Sequence, residues 1–166
     1  MTMRPAPANH DHRTPLVGAV VDALAEALRT GPERWRGAPL EPLDDSGLAH
    51  AHVRLAGHGA LARIPKQSQM KLAPAENLRY EAACFEQAAA SGHTPKLFAV
   101  LPVSPGLPHG ALVVEEIVGR AAVLPRDLAA IAAALAALHR VPLPAPAMRR
   151  PLQDAADPLC ALLAEI

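Results

Sequence analysis

Glu81 is the residue whose position most needs a chemical explanation. Pro74 and Glu76 open a helix expected over residues 75 to 90, and Gly92 ends it. Turning about 100° per residue sets Glu81 beside Phe85 on the apolar face, with Leu78, Ala82 and Ala89, whereas Arg79, Glu86 and Gln87 fall on the other side. A carboxylate turned toward a core is costly unless a cation meets it. The nearest basic candidates by topology are Arg63, inside the preceding strand, and Lys66 just beyond it. A strand cation oriented by a helix carboxylate is a device that phosphoryl-transfer sites use to hold a nucleotide's phosphates. Without that chemistry, Glu81 would be half of a structural ion pair, and Arg63 and Lys66 the charges that keep an edge strand soluble.

Several elements must form to bring these residues together. Thr14 as N-cap, Pro15 at the first helical position and the stripe Val17, Val20, Val21, Leu24 and Leu28 predict a first helix, which Gly31-Pro32 stops. Residues 32 to 46, with Pro32, Pro39 and Pro42, read as a linker ending in the turn Asp44-Asp45-Ser46-Gly47. A hairpin follows: residues 50 to 56 alternate with Val53 and Leu55 on one face, and Gly57-His58-Gly59 turns the chain into residues 60 to 65. Strands are expected over 96 to 103 and 111 to 118, and Leu112-Val113-Val114, apolar on successive residues, predicts a strand covered on both faces. Asp127 can cap a helix carrying Leu128, Ile131, Leu135 and Leu138, ended by Val141-Pro142. From Asp157 a short stripe of Leu159, Leu162, Leu163 and Ile166 runs out without a closing signal, as in a chain cut inside a helix. Helix, hairpin, helix, two strands and helix make an α+β fold.

Composition narrows the classes of function. Lys and Arg number 16 against 16 Asp and Glu, a formal charge of zero, which argues against nucleic-acid and anionic-membrane partners. No run approaches the roughly 20 apolar residues of a membrane span. The polar, Pro-rich residues 1 to 13, expected to be a disordered tail, lack a signal peptide's apolar centre, so the cytoplasm is the expected location. Cys84 and Cys160 have no metal or disulfide spacing and read as packing thiols. His50 and His52 share a strand face but bring no third fixed ligand for zinc, and His139 suits the end of a helix.

In this order the motifs resemble the aminoglycoside phosphotransferase and choline kinase-like family. Ser46-Gly47-Leu48-Ala49-His50 resembles its G-G-L-S-N nucleotide turn, and Leu61-Ala62-Arg63-Ile64-Pro65 its V-L-R-L-P strand. Leu78-Arg79-Tyr80-Glu81 is similar to its L-x-x-E helix segment, and residues 113 to 119 to the hinge L-M-E-W-L-P-G. Leu135 to Pro142 resembles L-A-x-L-H-x-x-P. The resemblance spans residues 46 to 142 and departs at two places: Ser46 replaces the first Gly of the turn, and His50 stands where the family usually has Asn. The family's H-G-D segment and later metal-binding Asp have no match after residue 142.

The resemblance implies a protein-kinase-like N-terminal lobe over residues 42 to 118, with a twisted antiparallel sheet and a packed helix. A helix and linker over 14 to 41 would precede it, and the hinge exit and start of a helical lobe over 119 to 166 would follow. It implies ATP with Mg2+ as cofactors, the metal ligands lying in the other lobe, and a small-molecule hydroxyl as acceptor. Ser46 and Gly47 would form the nucleotide turn, Arg63 or Lys66 would position phosphate, and Glu81 would orient that cation. Val114 would back the adenine pocket, and the backbone from Glu115 to Ile117 would meet the ring. No catalytic residue is expected in this chain, so it should bind nucleotide weakly and self-associate through its exposed apolar helix. The alternatives are a non-catalytic kinase-derived module that binds a nucleotide or a partner, and an Ala- and Pro-rich interaction domain unrelated to kinases.

Overall fold

The computed structural model describes residues 14–44, 47–68 and 70–142. The expected tail over 1 to 13, Ser46 of the nucleotide turn, Cys160 and the expected last helix from Asp157 lie outside the described residues. The alternating pattern of residues 50 to 65 forms the hairpin of β2 (His50–Leu55) and β3 (Ala60–Pro65), turned by Gly57 and Gly59, both at positive φ. Around it lie α1 (Thr14–Thr30), β1 (Leu40–Pro42), α2 (Pro74–Ala88), β4 (Leu97–Leu101), β5 (Ala111–Glu115) and α3 (Leu128–His139). The strands make one sheet in the order β1-β2-β3-β5-β4, every neighbour antiparallel.

The sheet separates two apolar clusters because its strands alternate. On one face Val53, Leu55, Ala60, Ala62, Ile64, Ala111 and Val113 are buried with Leu24 and Leu28 of α1 and with Trp35. On the other, Leu112 and Val114 are buried with Leu78 and Ala82 of α2, and Leu61, Phe85 and Leu97 pack around them. The strand β5 is therefore covered on both sides, as its unbroken apolar run requires. A bulge between Leu97 and Ala99 shifts the register of β4, so that Leu97 joins one cluster and Leu101 the other.

Four expectations change. The linker over 32 to 46 instead contributes a 3-10 turn (Glu33–Trp35) and β1, and the boundary drawn between residues 41 and 42 falls inside that strand. Trp35 was hidden among prolines. It is fully buried, 6.1 Å from the Phe98 ring, and the Arg34 guanidinium sits 4.1 Å above it and 4.3 Å from Phe98. Asp127 makes no side-chain cap on α3. Its carboxylate accepts from Arg120 at 2.6 and 3.0 Å, from the Val123 amide and from Arg126, and the Arg120 bond chiefly holds its carboxyl below the usual carboxylate range. The stripe on α3 is not buried: Leu128 and Leu135 remain about half exposed. Cys84 is also exposed rather than packed. Among the described residues no helix is long and apolar enough to cross a membrane.

Gly110, where the chain enters β5, tests the junction between the sheet and α2. Its φ is +65°, and a Cβ there would stand 2.6 Å from Leu78 Cδ2 and 2.7 Å from the Leu101 carbonyl oxygen. Gly110→Ala is expected to cost about 2–3 kcal/mol through backbone strain and overpacking, measured by urea denaturation. A change below about 0.5 kcal/mol, the ordinary surface range, would contradict this packing.

Candidate functional site

The face of the sheet turned toward α2 changes from apolar to polar on passing from β5 to β2. In register, Leu61 lies between Arg54 and Val114, Arg63 lies between His52 and Leu112, and His50 is opposite Pro65. The period of two along β2 thus places His50, His52 and Arg54 on the face that carries Leu61 and Arg63. At its apolar edge this face is roofed by α2, and α2 brings Glu81 down onto the polar part.

Glu81 is met by three side chains from three elements. Asn77, one turn earlier on α2, donates its Nδ2–H to Oε1 at 2.9 Å. His50 Nε2 lies 3.1 Å from Oε1 and 3.0 Å from Oε2. Arg63 Nε stands 3.7 Å from Oε2, an ion-pair distance beyond hydrogen-bond reach. The side chains of His50, Glu81 and Arg63 are 14, 17 and 32% exposed, so the carboxylate is largely removed from water, and its partners supply what hydration no longer does.

Arg63 also meets His50. Its Nη2 lies 3.3 Å from His50 Nδ1 and 3.2 Å from Nε2. One atom equally close to both ring nitrogens cannot lie along either in-plane nitrogen direction, so the guanidinium stands over the imidazole. The Arg63 Cζ also lies 5.7 Å from the Phe85 ring centroid. Arg63 Nε is buried and makes no hydrogen bond. The result is a cation held by rings and by a carboxylate at its edge.

The remaining expected residues are distributed around this centre. Lys66 donates through Nζ to the Gly47 carbonyl, while its amide donates to the Ala49 carbonyl at 2.8 Å, fastening the turn to the end of β3. Val114 is buried beneath α2 beside Leu61. The Glu115 amide donates to the Lys96 carbonyl and the Glu116 amide to the Gly59 carbonyl, each at 2.9 Å. Of the backbone amides expected to meet a ring, that of Ile117 is therefore the first beyond the sheet. Ile117 itself is 63% exposed. Ala60 faces Glu115 and Arg63 faces Leu112, so the strand exit and the cation are three residues apart along β3, about 10 Å at strand spacing.

Three participants escaped the reading of the sequence. Asn77 stands four residues before Glu81, a spacing at which helix side chains meet, and was legible in principle. His50 reads in the sequence as a departure in the turn and as half of an incomplete zinc pair, not as a partner of Glu81. Arg54 donates through Nε to Glu116 Oε1 at 2.6 Å and through Nη1 to Glu41 Oε2 at 3.3 Å. That bridge reaches across β3 and depends on strand order, which no local pattern encodes. Its carboxylates, Glu116 first, hold the Arg54 guanidinium above its ordinary pKa.

Glu81→Ala would strip His50, Asn77 and Arg63 of their common acceptor and is expected to destabilise the fold by about 1–3 kcal/mol, read from urea melts. An unchanged midpoint would mean that these contacts contribute nothing net. Comparison with family models, curated proteins and solved structures finds no match for the chain.

Proposed function

We propose that the chain is the nucleotide-binding lobe of an ATP-dependent phosphotransferase acting on a small-molecule hydroxyl, related to the aminoglycoside phosphotransferase-like kinases. The observation that carries this is the pairing of Arg63, on the third strand of an antiparallel sheet, with Glu81, on the helix between the third and fourth strands. Kinases orient their phosphate-binding strand cation with a carboxylate in this way. The amide of Ile117 and a cation about 10 Å along the strand would offer a hinge contact and a phosphate contact, with Val114, buried beneath α2 beside Leu61, behind them.

Between the two cations left open by the sequence, the geometry favours Arg63. Glu81 stands beside Arg63, and its Nε is buried without a hydrogen bond, whereas Lys66 binds the turn at Gly47. Arg63 would hold the phosphates, Glu81 would keep it aimed, and Lys66 would shape the turn that carries Ser46 and Gly47. Among the described residues no group of three His, Cys, Asp or Glu side chains is placed to hold a metal ion, so Mg2+ would arrive on the phosphates, neutralising their charge. The acceptor's binding groups are assigned to no described residue.

Calorimetric titration of the full chain with ATP and Mg2+ tests the proposal. Binding is expected, weakened roughly tenfold or more by Arg63→Ala, the loss of one charge-assisted hydrogen bond, and less by Lys66→Ala. Glu81→Gln should weaken it through misorientation of Arg63. Equal affinities across wild type, Arg63→Ala and Glu81→Gln would remove these residues from the site. Assaying phosphate transfer to aminoglycosides, amino alcohols and sugars in parallel separates an enzyme from a module that binds nucleotide without turnover.

A further inference from the structure

The imidazole of His50 occupies the space between Arg63 and Glu81, and its contacts dictate where its proton resides. A carboxylate is an acceptor only, and Nε2 lies within 3.1 Å of both Glu81 oxygens. Nε2 therefore carries hydrogen. Arg63 Nη2 stands over the ring at nearly equal distances from both nitrogens, a contact of a cation with the imidazole face that a neutral ring attracts and a charged ring repels. The arrangement is satisfied by a neutral His50 that donates to Glu81 and receives Arg63.

Protonation at Nδ1 sets a second cation against the Arg63 guanidinium. The hydrogen bond to Glu81 survives, strengthened by charge, whereas the Arg63 contact becomes repulsive. The other groups facing His50 leave this balance in place. His52, from the same strand, has its ring centroid 6.4 Å away. Asn77 is bound to Glu81, and Lys66 beyond β3 contacts the Gly47 carbonyl. One carboxylate then faces either one cation or two.

We propose that His50 is a positioning residue that couples phosphate binding at Arg63 to uptake of one proton. With His50 neutral, Arg63 rests on the imidazole. With His50 protonated, the guanidinium is released from the imidazole, though not from Glu81, to an incoming phosphate. Histidine is the side chain suited to such a change near neutral pH. The sign follows from linkage: a ligand that binds the protonated form better must draw a proton in, and its affinity falls as pH rises through the histidine range. This inference rests on the assignment of Arg63 as the phosphate-holding cation.

The test uses the full chain and inorganic tripolyphosphate, titrated calorimetrically at pH 7 in two buffers of different ionisation enthalpy, and again at pH 6 and pH 8. Wild type is expected to take up more protons on binding than His50→Asn. Its affinity should fall between pH 6 and pH 8 by roughly tenfold more than that of the variant, the effect of about one pK unit of coupling. His52→Asn should keep the wild-type uptake. Equal uptake by wild type and His50→Asn, or loss of uptake in His52→Asn alone, would overturn the role of His50 while leaving Arg63 as the phosphate site. Absence of tripolyphosphate binding by wild type at every pH would overturn both. Should His50→Asn fail to fold, the imidazole carbon-bound protons of His50 in the wild type give the same answer by NMR. At pH 7 they should move toward the protonated position on adding tripolyphosphate, and no movement would overturn the coupling.

Discussion

A carboxylate set into the seam between a helix and a sheet has to be satisfied from both sides, and Glu81 is satisfied by Asn77 on its own helix and by His50 and Arg63 from two adjacent strands. Because those contacts come from α2, β2 and β3, they depend on the register of the hairpin and on how α2 lies over the sheet. Slipping the hairpin by one residue would send Arg63 to the α1 side, into a cluster of Val53, Ala62 and Val113, where no carboxylate is described as its partner. The ion cluster and the two apolar clusters therefore specify the same arrangement.

The apolar packing gives that arrangement its rigidity. With β5 covered by α1 on one side and α2 on the other, α2 is held by Leu78 and Ala82 against Leu112 and Val114. Glu81 falls between Leu78 and Ala82 in sequence and is carried to the polar edge by the helix turn. On the opposite face Trp35, gripped by Arg34 and Phe98, closes the cluster under α1. The polar site is left on the one part of the sheet that neither helix covers fully.

Much of this was legible because it is local. The alternation of residues 50 to 65, the caps and breakers around residues 74 to 92 and the double-sided apolar run at Leu112-Val113-Val114 each follow from a period, and the elements appear within a few residues of their expected limits. The angular position of Glu81 on its helix calls for a cation on the preceding strand, and it leaves Arg63 and Lys66 equally open. What escaped was non-local or masked by composition. Proline-rich residues 32 to 46 concealed β1 and Trp35, since turn formers dominate the local signal. Insertion of His50 between the expected partners required the hairpin register together with the placement of α2. Asp127, read as a helix cap, found stronger donors in Arg120 and Arg126, and charge-assisted bonds outcompeted the backbone. The stripe on α3 has the spacing of a core helix without a buried residue, which shows that amphipathic spacing identifies a face but not what covers it.

The most direct test of the proposed site is amide and side-chain NMR mapping of the full chain as ATP is added. The largest chemical-shift changes should fall on Arg63, His50 and Glu81, continue through Leu61 to the Ile117 amide, and spare Leu24, Leu28 and Trp35 beneath α1. Changes confined to the α1 face, or none at saturating nucleotide, would contradict a nucleotide site built on Arg63 and Glu81.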